Sequence, residues 1–171
     1  EGENLIPNYF SLIPQILVKN KNKLKSSAGF DAISQAVESI ISVRSTSDSL
    51  KFAYKSLDLS LSNYIDFLKK PSISNSNNMA LAAMYSGKAI SISKTTAPHA
   101  VSYPFTSLYG ISHGHAVSLT LEKFLKFNYE NIDKSISEFS LKNRYNKLFK
   151  IFKVKNIYDL QYKIMKIKKD A

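Results

Sequence analysis

The 171-residue chain contains no cysteine. This excludes a disulfide framework and thiolate ligands, so a metal would have to be held by nitrogen and oxygen. No apolar run approaches the ~18 residues that span a bilayer, and Glu1-Gly2-Glu3-Asn4 lacks the basic start and apolar core of a signal peptide. The chain therefore reads as soluble and cytoplasmic, without a membrane partner. Glycine is scarce as well: the five lie at positions 2, 29, 87, 110 and 114. None belongs to a Gly-rich turn of the kind whose backbone amides bind a pyrophosphate.

What is present is a foldable core. Hydrophobic residues make up 44% of the chain, with ten Tyr and ten Phe, which is not the composition of a disordered segment. The net charge of +11 raises the question of nucleic acid. The distribution argues against it, because the lysines are scattered and only Arg44 and Arg144 among the 24 basic residues are arginine. Two lysine-rich runs, over residues 19–25 and 163–169, read as solvated faces. A basic helical module binding a polyanion is the alternative they leave open.

Residues 1–25, with Pro7, Pro14 and the short apolar groups Tyr9-Phe10 and Ile16-Leu17-Val18, read as an extended, turn-rich lead-in to a helical domain over residues 26–171. Phe30, Ile33, Val37, Ile40 and Ile41 recur at helical spacing and predict a helix to about residue 43, with Ser26 or Ser27 as cap. Thr46-Ser47-Asp48 caps a second, strongly amphipathic helix that Pro71 stops. A polar loop is expected over 72–78, then a helix rich in small residues over 79–90. A short helix should run from His99 to Tyr109, bent or confined by Pro104 and ended by Gly110. Further helices are expected over 114–127, 132–139, 143–152 and 157–168. The fold class is all-α, a multi-helix bundle.

All three histidines, His99, His113 and His115, fall within seventeen residues. Placing His99 at the start of one helix and His113 just before the next lets both imidazoles face one cleft, with Gly110 permitting the reversal. The first helix offers oxygen ligands in Asp31 and Gln35, which are four apart and so share a face that continues to Glu38; capping or surface roles for these residues, and a structural role for the histidines, are the alternative reading. Polar groups set among apolar positions require partners or a metal.

The segment Gly29-Phe30-Asp31-Ala32-Ile33-Ser34-Gln35-Ala36-Val37-Glu38 resembles the Gly-x-Asp-Ala-x-x-His-Ala-x-Glu helix of the iron-containing (group III) alcohol dehydrogenase family. The small residues of 79–90 resemble that family's Ala-Gly helix, and His99 followed fourteen residues later by His113-Gly114 resembles its third motif. The resemblance covers roughly residues 5–130. It implies the helical, dehydroquinate synthase-like C-terminal domain of these enzymes, and a site for Fe(II) or Zn(II) on Asp31, His99 and His113. Gln35 stands where the family's common pattern has another histidine, as a weaker fourth ligand. The wording of residues 92–104 with Gly114-His115-Ala116 is similar to one branch, the phosphonoacetaldehyde reductase-like enzymes.

The activity implied is hydride transfer between NAD(H) or NADP(H) and a small alcohol or aldehyde whose oxygen the metal polarises. Tyr103, where many members carry a histidine near the nicotinamide, is the candidate to hydrogen-bond or relay a proton. Lys94 is the candidate to meet an anionic substrate group, a phosphonate or carboxylate. The resemblance also implies that the chain starts near the beginning of the family's second domain and stops short of its final helices. A separate cofactor domain would then be needed, and the isolated chain would have little or no dehydrogenase activity. A degenerate member acting by assembly with a partner chain is a further alternative, and a homodimer stays open.

Overall fold

The computed structural model describes residues 7–171; the part of the expected lead-in over residues 1–6 lies outside the described residues. Among the described residues nine α-helices follow in order: α1 (Pro14–Lys19), α2 (Asn22–Ile41), α3 (Ser47–Lys69), α4 (Ile73–Ser93), α5 (Ala97–Tyr109), α6 (His113–Ser118), α7 (Leu121–Glu130), α8 (Leu141–Phe152) and α9 (Ile157–Asp170). No strand occurs among the described residues, so the chain is an all-α bundle.

Helix α2 is the axis of the bundle. Gly29, Phe30, Ala32, Ile33, Ala36, Val37 and Ile40 are all buried, and α3, α4, α6 and α8 pack around them. A helix apolar on most of its circumference must be enclosed. Small residues let α3 and α4 approach closely: Ser56 of α3 donates to the Ala82 carbonyl of α4 at 2.8 Å, and Ala53, Ala82 and Ala89 are fully buried. At the other end α7, α8 and α9 enclose Leu121, Leu125, Tyr145, Leu148, Phe152, Leu160 and Ile164.

Several boundaries differ from the sequence expectation, each for a local reason. Residues 7–13 form no helix; Pro14 then opens α1 at a position where its missing N–H costs nothing, and α1 lies against α4. Helix α2 begins at Asn22, not after Ser26 or Ser27. The expected loop over 72–78 is the first part of α4. Ser72 accepts from the Asn75 amide at 3.2 Å while the Asn75 side chain accepts from the Ser72 amide at 2.8 Å, a capping box inside a polar run. Pro104 does not confine α5, which runs on to Gly110 with φ +65°. The carbonyl that Pro104 leaves unpaired belongs to Ala100, and both residues lie on the exposed side of α5 where water can take it up. The single helix expected over 114–127 is two helices. Bonds from Leu119 to Ala116 and from Thr120 to Val117 tighten the chain between α6, which packs on α2, and α7, which packs on α9. Of the helix expected over 132–139 only a 3-10 turn at Ile132–Lys134 forms, since Ser135 and Ser137 bond to each other and to nearby backbone instead.

One ion pair ties the two ends of the second half together. Lys168 on α9 donates to the buried Glu122 carboxylate and to the Ser118 carbonyl, both at 2.8 Å. Lys168→Met should destabilise the chain by about 2 kcal/mol in urea unfolding, short of the ~3–5 kcal/mol of a fully buried pair because the lysine keeps 24% of its side chain in water. Unchanged stability would show the Glu122 carboxylate to be solvated.

Candidate metal centre

The bundle axis carries the site. Asp31, Gln35 and Glu38 lie on successive turns of α2, and the N-terminal ends of α5 and α6 are brought against them. Asp31 Oδ1 is 3.2 Å from His99 Nε2 and 3.8 Å from His113 Nε2. The two imidazole rings meet edge to face with centroids 5.3 Å apart.

Each histidine is placed by a separate device. His99 is in the first turn of α5, whose start is pinned by Glu38: one carboxylate oxygen accepts from the Thr96 amide at 2.6 Å and the Thr96 hydroxyl at 2.7 Å, and the other accepts from His99 Nδ1 at 2.5 Å. With the proton held at Nδ1, Nε2 is the nitrogen presented to the site. His113 is the first residue of α6, which lies on α2 at Gly114. A Cβ at that glycine would sit 1.9 Å from the Ser27 carbonyl oxygen, so the approach requires glycine. The Gly110 turn supplies the reversal between α5 and α6.

Burial pulls the His99 pKa down, but hydrogen bonds to Asp31 and Glu38 and the charges of the two carboxylates outweigh it and push it up to about 9. The protonated form of His99 is thus favoured, with each ring nitrogen facing a carboxylate oxygen. A cation held between Asp31, His99 and His113 would take the place of the proton on Nε2.

Gln35 is the fourth group. Its Nε2 donates to Asp31 Oδ2 at 2.8 Å, and its Oε1 accepts from the Ser86 hydroxyl of α4 at 2.8 Å. Tyr103, one turn beyond His99, stacks on the His113 ring at 6.0 Å with 16° between planes and is largely exposed. Lys94 is elsewhere. It terminates α4 with φ +60° and lines a cleft of about 750 Å³ together with Arg44, Lys134, Asn128 and Asn131; neither His99 nor His113 belongs to that lining.

The donor set suits a divalent cation. With metal–ligand bonds of about 2.1 Å, neighbouring ligands of a tetrahedron lie about 3.4 Å apart. The Asp31–His99 and Asp31–His113 separations bracket that distance, and the three ligand atoms lie within 4.8 Å of one another. A set of imidazoles and oxygen without sulfur is compatible with Fe(II) or Zn(II). His99 is buried while 38% of the His113 side chain is exposed, so the cluster opens to solvent on the His113 and Tyr103 side. The roles of Thr96, Ser86 and Gly114 were not legible in the motifs. Glu38 was visible as a polar residue continuing the Asp31 face and as the last position of the family-like helix motif, without its partners Thr96 and His99.

The chain shares sequence or fold with several known proteins. A phosphonoacetaldehyde reductase from Streptomyces viridochromogenes is 31% identical over 130 residues, 75% of this chain and 33% of that protein. A 4-hydroxybutyrate dehydrogenase from Clostridium kluyveri is 25% identical over 132 residues, 75% of this chain and 36% of that protein. The chain spans about a third of the length of these curated relatives. The crystal structure of a sulfoacetaldehyde reductase from Bifidobacterium kashiwanohense in complex with NAD+ shares the fold with a TM-score of 0.77, at 24% identity, over 92% of this chain and 40% of that one. Residues 25–165 match the C-terminal part of the Fe-containing alcohol dehydrogenase family, and the chain belongs to that family.

Proposed function

We propose that this chain is the metal-holding helical part of an NAD(P)-dependent reductase of small aldehydes, with Asp31, His99 and His113 as ligands and Gln35 as the fourth. The observation that carries the proposal is the convergence of two imidazole Nε2 atoms on one oxygen of Asp31. An ion bound there supplies Lewis acidity toward an aldehyde or alkoxide oxygen. The chain's own residues do the rest of the work at the site. Glu38 and Thr96 hold the His99 ring so that Nε2 faces inward. Tyr103 presents a phenol on the open side beside His113, where it can hydrogen-bond to a substrate or pass a proton.

The substrate class we propose carries an anionic group. The curated relatives are named for phosphonoacetaldehyde and 4-hydroxybutyrate, a phosphonate and a carboxylate. The nicotinamide cofactor needs a pyrophosphate site that none of the five glycines of this chain provides. By itself the chain should therefore show little or no NAD(P)H turnover.

Metal analysis tests the ligand assignment independently of turnover. Purified chain loaded with Fe(II) or Zn(II) and desalted should retain one ion per chain, and His113→Ala should lose it while unfolding at nearly the wild-type urea concentration, since His113 is partly exposed. Retention of the ion by His113→Ala, or no retention by the wild type, would remove the basis of the proposal.

A further inference from the structure

Ser86 is fully buried on α4, 51 residues from Gln35 in sequence, and its hydroxyl faces the Gln35 amide at 2.8 Å. The same hydroxyl is 3.0 Å from the Ala83 carbonyl. One hydroxyl hydrogen thus has two acceptors in reach, while the hydroxyl oxygen can itself accept. We propose that Ser86 is a positioning residue that turns the Gln35 amide between two orientations, and so decides whether Gln35 presents a carbonyl oxygen to a bound cation. The proposal rests on the reading of Asp31, His99 and His113 as ligands.

In the arrangement observed, Ser86 donates to Gln35 Oε1 and the Gln35 NH2 donates to Asp31 Oδ2 at 2.8 Å. An amide N–H against a carboxylate is attractive, and a carbonyl oxygen there would be repelled. A divalent cation beside Asp31 reverses the preference. An NH2 group aimed at the cation is unfavourable and a carbonyl oxygen favourable.

A half-turn of the amide about its last torsion exchanges oxygen and nitrogen with almost no change in shape. Ser86 accommodates the exchange in place, since its hydrogen moves to the Ala83 carbonyl and its lone pair receives the Gln35 N–H. Alanine at 86 offers neither function. Because Ser86 is wholly enclosed, no solvent reaches position 86 to substitute, and the N–H that a ligating Gln35 directs there would be left without an acceptor.

A Co(II) titration of the 171-residue chain, followed by the visible d–d absorption of the bound ion, tests this without recourse to turnover. Ser86→Ala should weaken Co(II) binding by about tenfold or more and alter the d–d bands, the size expected for loss of a group that orients a ligand. Gln35→Glu provides the control, because a carboxylate presents an oxygen whichever way it turns. In the Gln35→Glu background Ser86→Ala should change the affinity by no more than about twofold. Thermal unfolding of the ion-free Ser86→Ala chain should stay close to wild type, separating orientation from packing. Wild-type affinity and spectrum in Ser86→Ala, or an equal loss in both backgrounds, would overturn the proposal. Co(II) binding that His113→Ala leaves unchanged would instead overturn the ligand reading beneath it.

Discussion

Gly114→Ala is expected to destabilise the chain by about 3 kcal/mol or more and to abolish metal retention. The added Cβ would lie 1.9 Å from the Ser27 carbonyl oxygen, 2.8 Å from the Ser27 carbonyl carbon and 3.0 Å from Asp31 Cβ. Two of these three neighbours are backbone atoms of α2, the helix around which everything else is packed. They cannot turn aside as a side chain can, so α6 would have to lift away from α2 by more than an ångström.

That movement has two consequences. Ala116 and Val117, fully buried behind Gly114, lose their packing. His113, the neighbouring residue, leaves its position 3.8 Å from Asp31. Gly87→Ala is the matched control. It lies inside α4 with nothing within 4 Å of an added Cβ, and removing a glycine from a helix interior should raise stability by about 0.5–1 kcal/mol. Urea unfolding of both variants, with metal analysis of each, measures the contrast. Near-wild-type stability in Gly114→Ala would show that α6 does not rest on α2 as closely as described.

The contrast between these glycines shows what the sequence can and cannot carry. Asp31, His99 and His113 were legible because the signal is local: a polar residue on an otherwise apolar helix face, and a pair of histidines beside a glycine that ends a helix. Helix α3 was legible for the same reason, with Thr46 and Pro71 marking its ends. The support around the site is non-local. Ser86 meets Gln35 across 51 residues, and Thr96 meets Glu38 across 58, between helices whose relative rotation no periodicity records. The first part of α4 escaped because a Ser-Asn run has loop composition, and only the reciprocal bonds of Ser72 and Asn75 make it a helix start. Lys94 shows the converse. Five residues before His99 in sequence, it lines a cleft that His99 does not enter, because the α4–α5 junction turns between them.

Glu38 is where stability and function are most closely joined, and two substitutions there should separate them. The residue is fully buried and accepts three hydrogen bonds, from the Thr96 amide, the Thr96 hydroxyl and His99 Nδ1. Glu38→Ala leaves all three donors without an acceptor and opens a cavity beside the axis of the bundle. A loss of about 3–5 kcal/mol is expected, enough to unfold much of the population. Glu38→Gln keeps the volume and one acceptor oxygen. That oxygen can serve the two Thr96 donors, which hold the start of α5, but the amide then turns its NH2 toward His99. The Nδ1 proton loses its acceptor, and the ring is no longer held with Nε2 directed at Asp31. Stability should fall by only about 1–2 kcal/mol, while affinity for Zn(II) or Co(II) should drop 10–100-fold or so, as for other carboxylates that hold a ligating imidazole from behind. The two readouts divide the possibilities. Equal losses of folding and of metal binding would make Glu38 a packing residue. A Glu38→Gln chain that binds metal as the wild type does would mean that His99 is oriented by the backbone of α5 alone. Folding largely kept and affinity largely lost is the outcome that makes Glu38 the residue through which α2 aims His99 at Asp31.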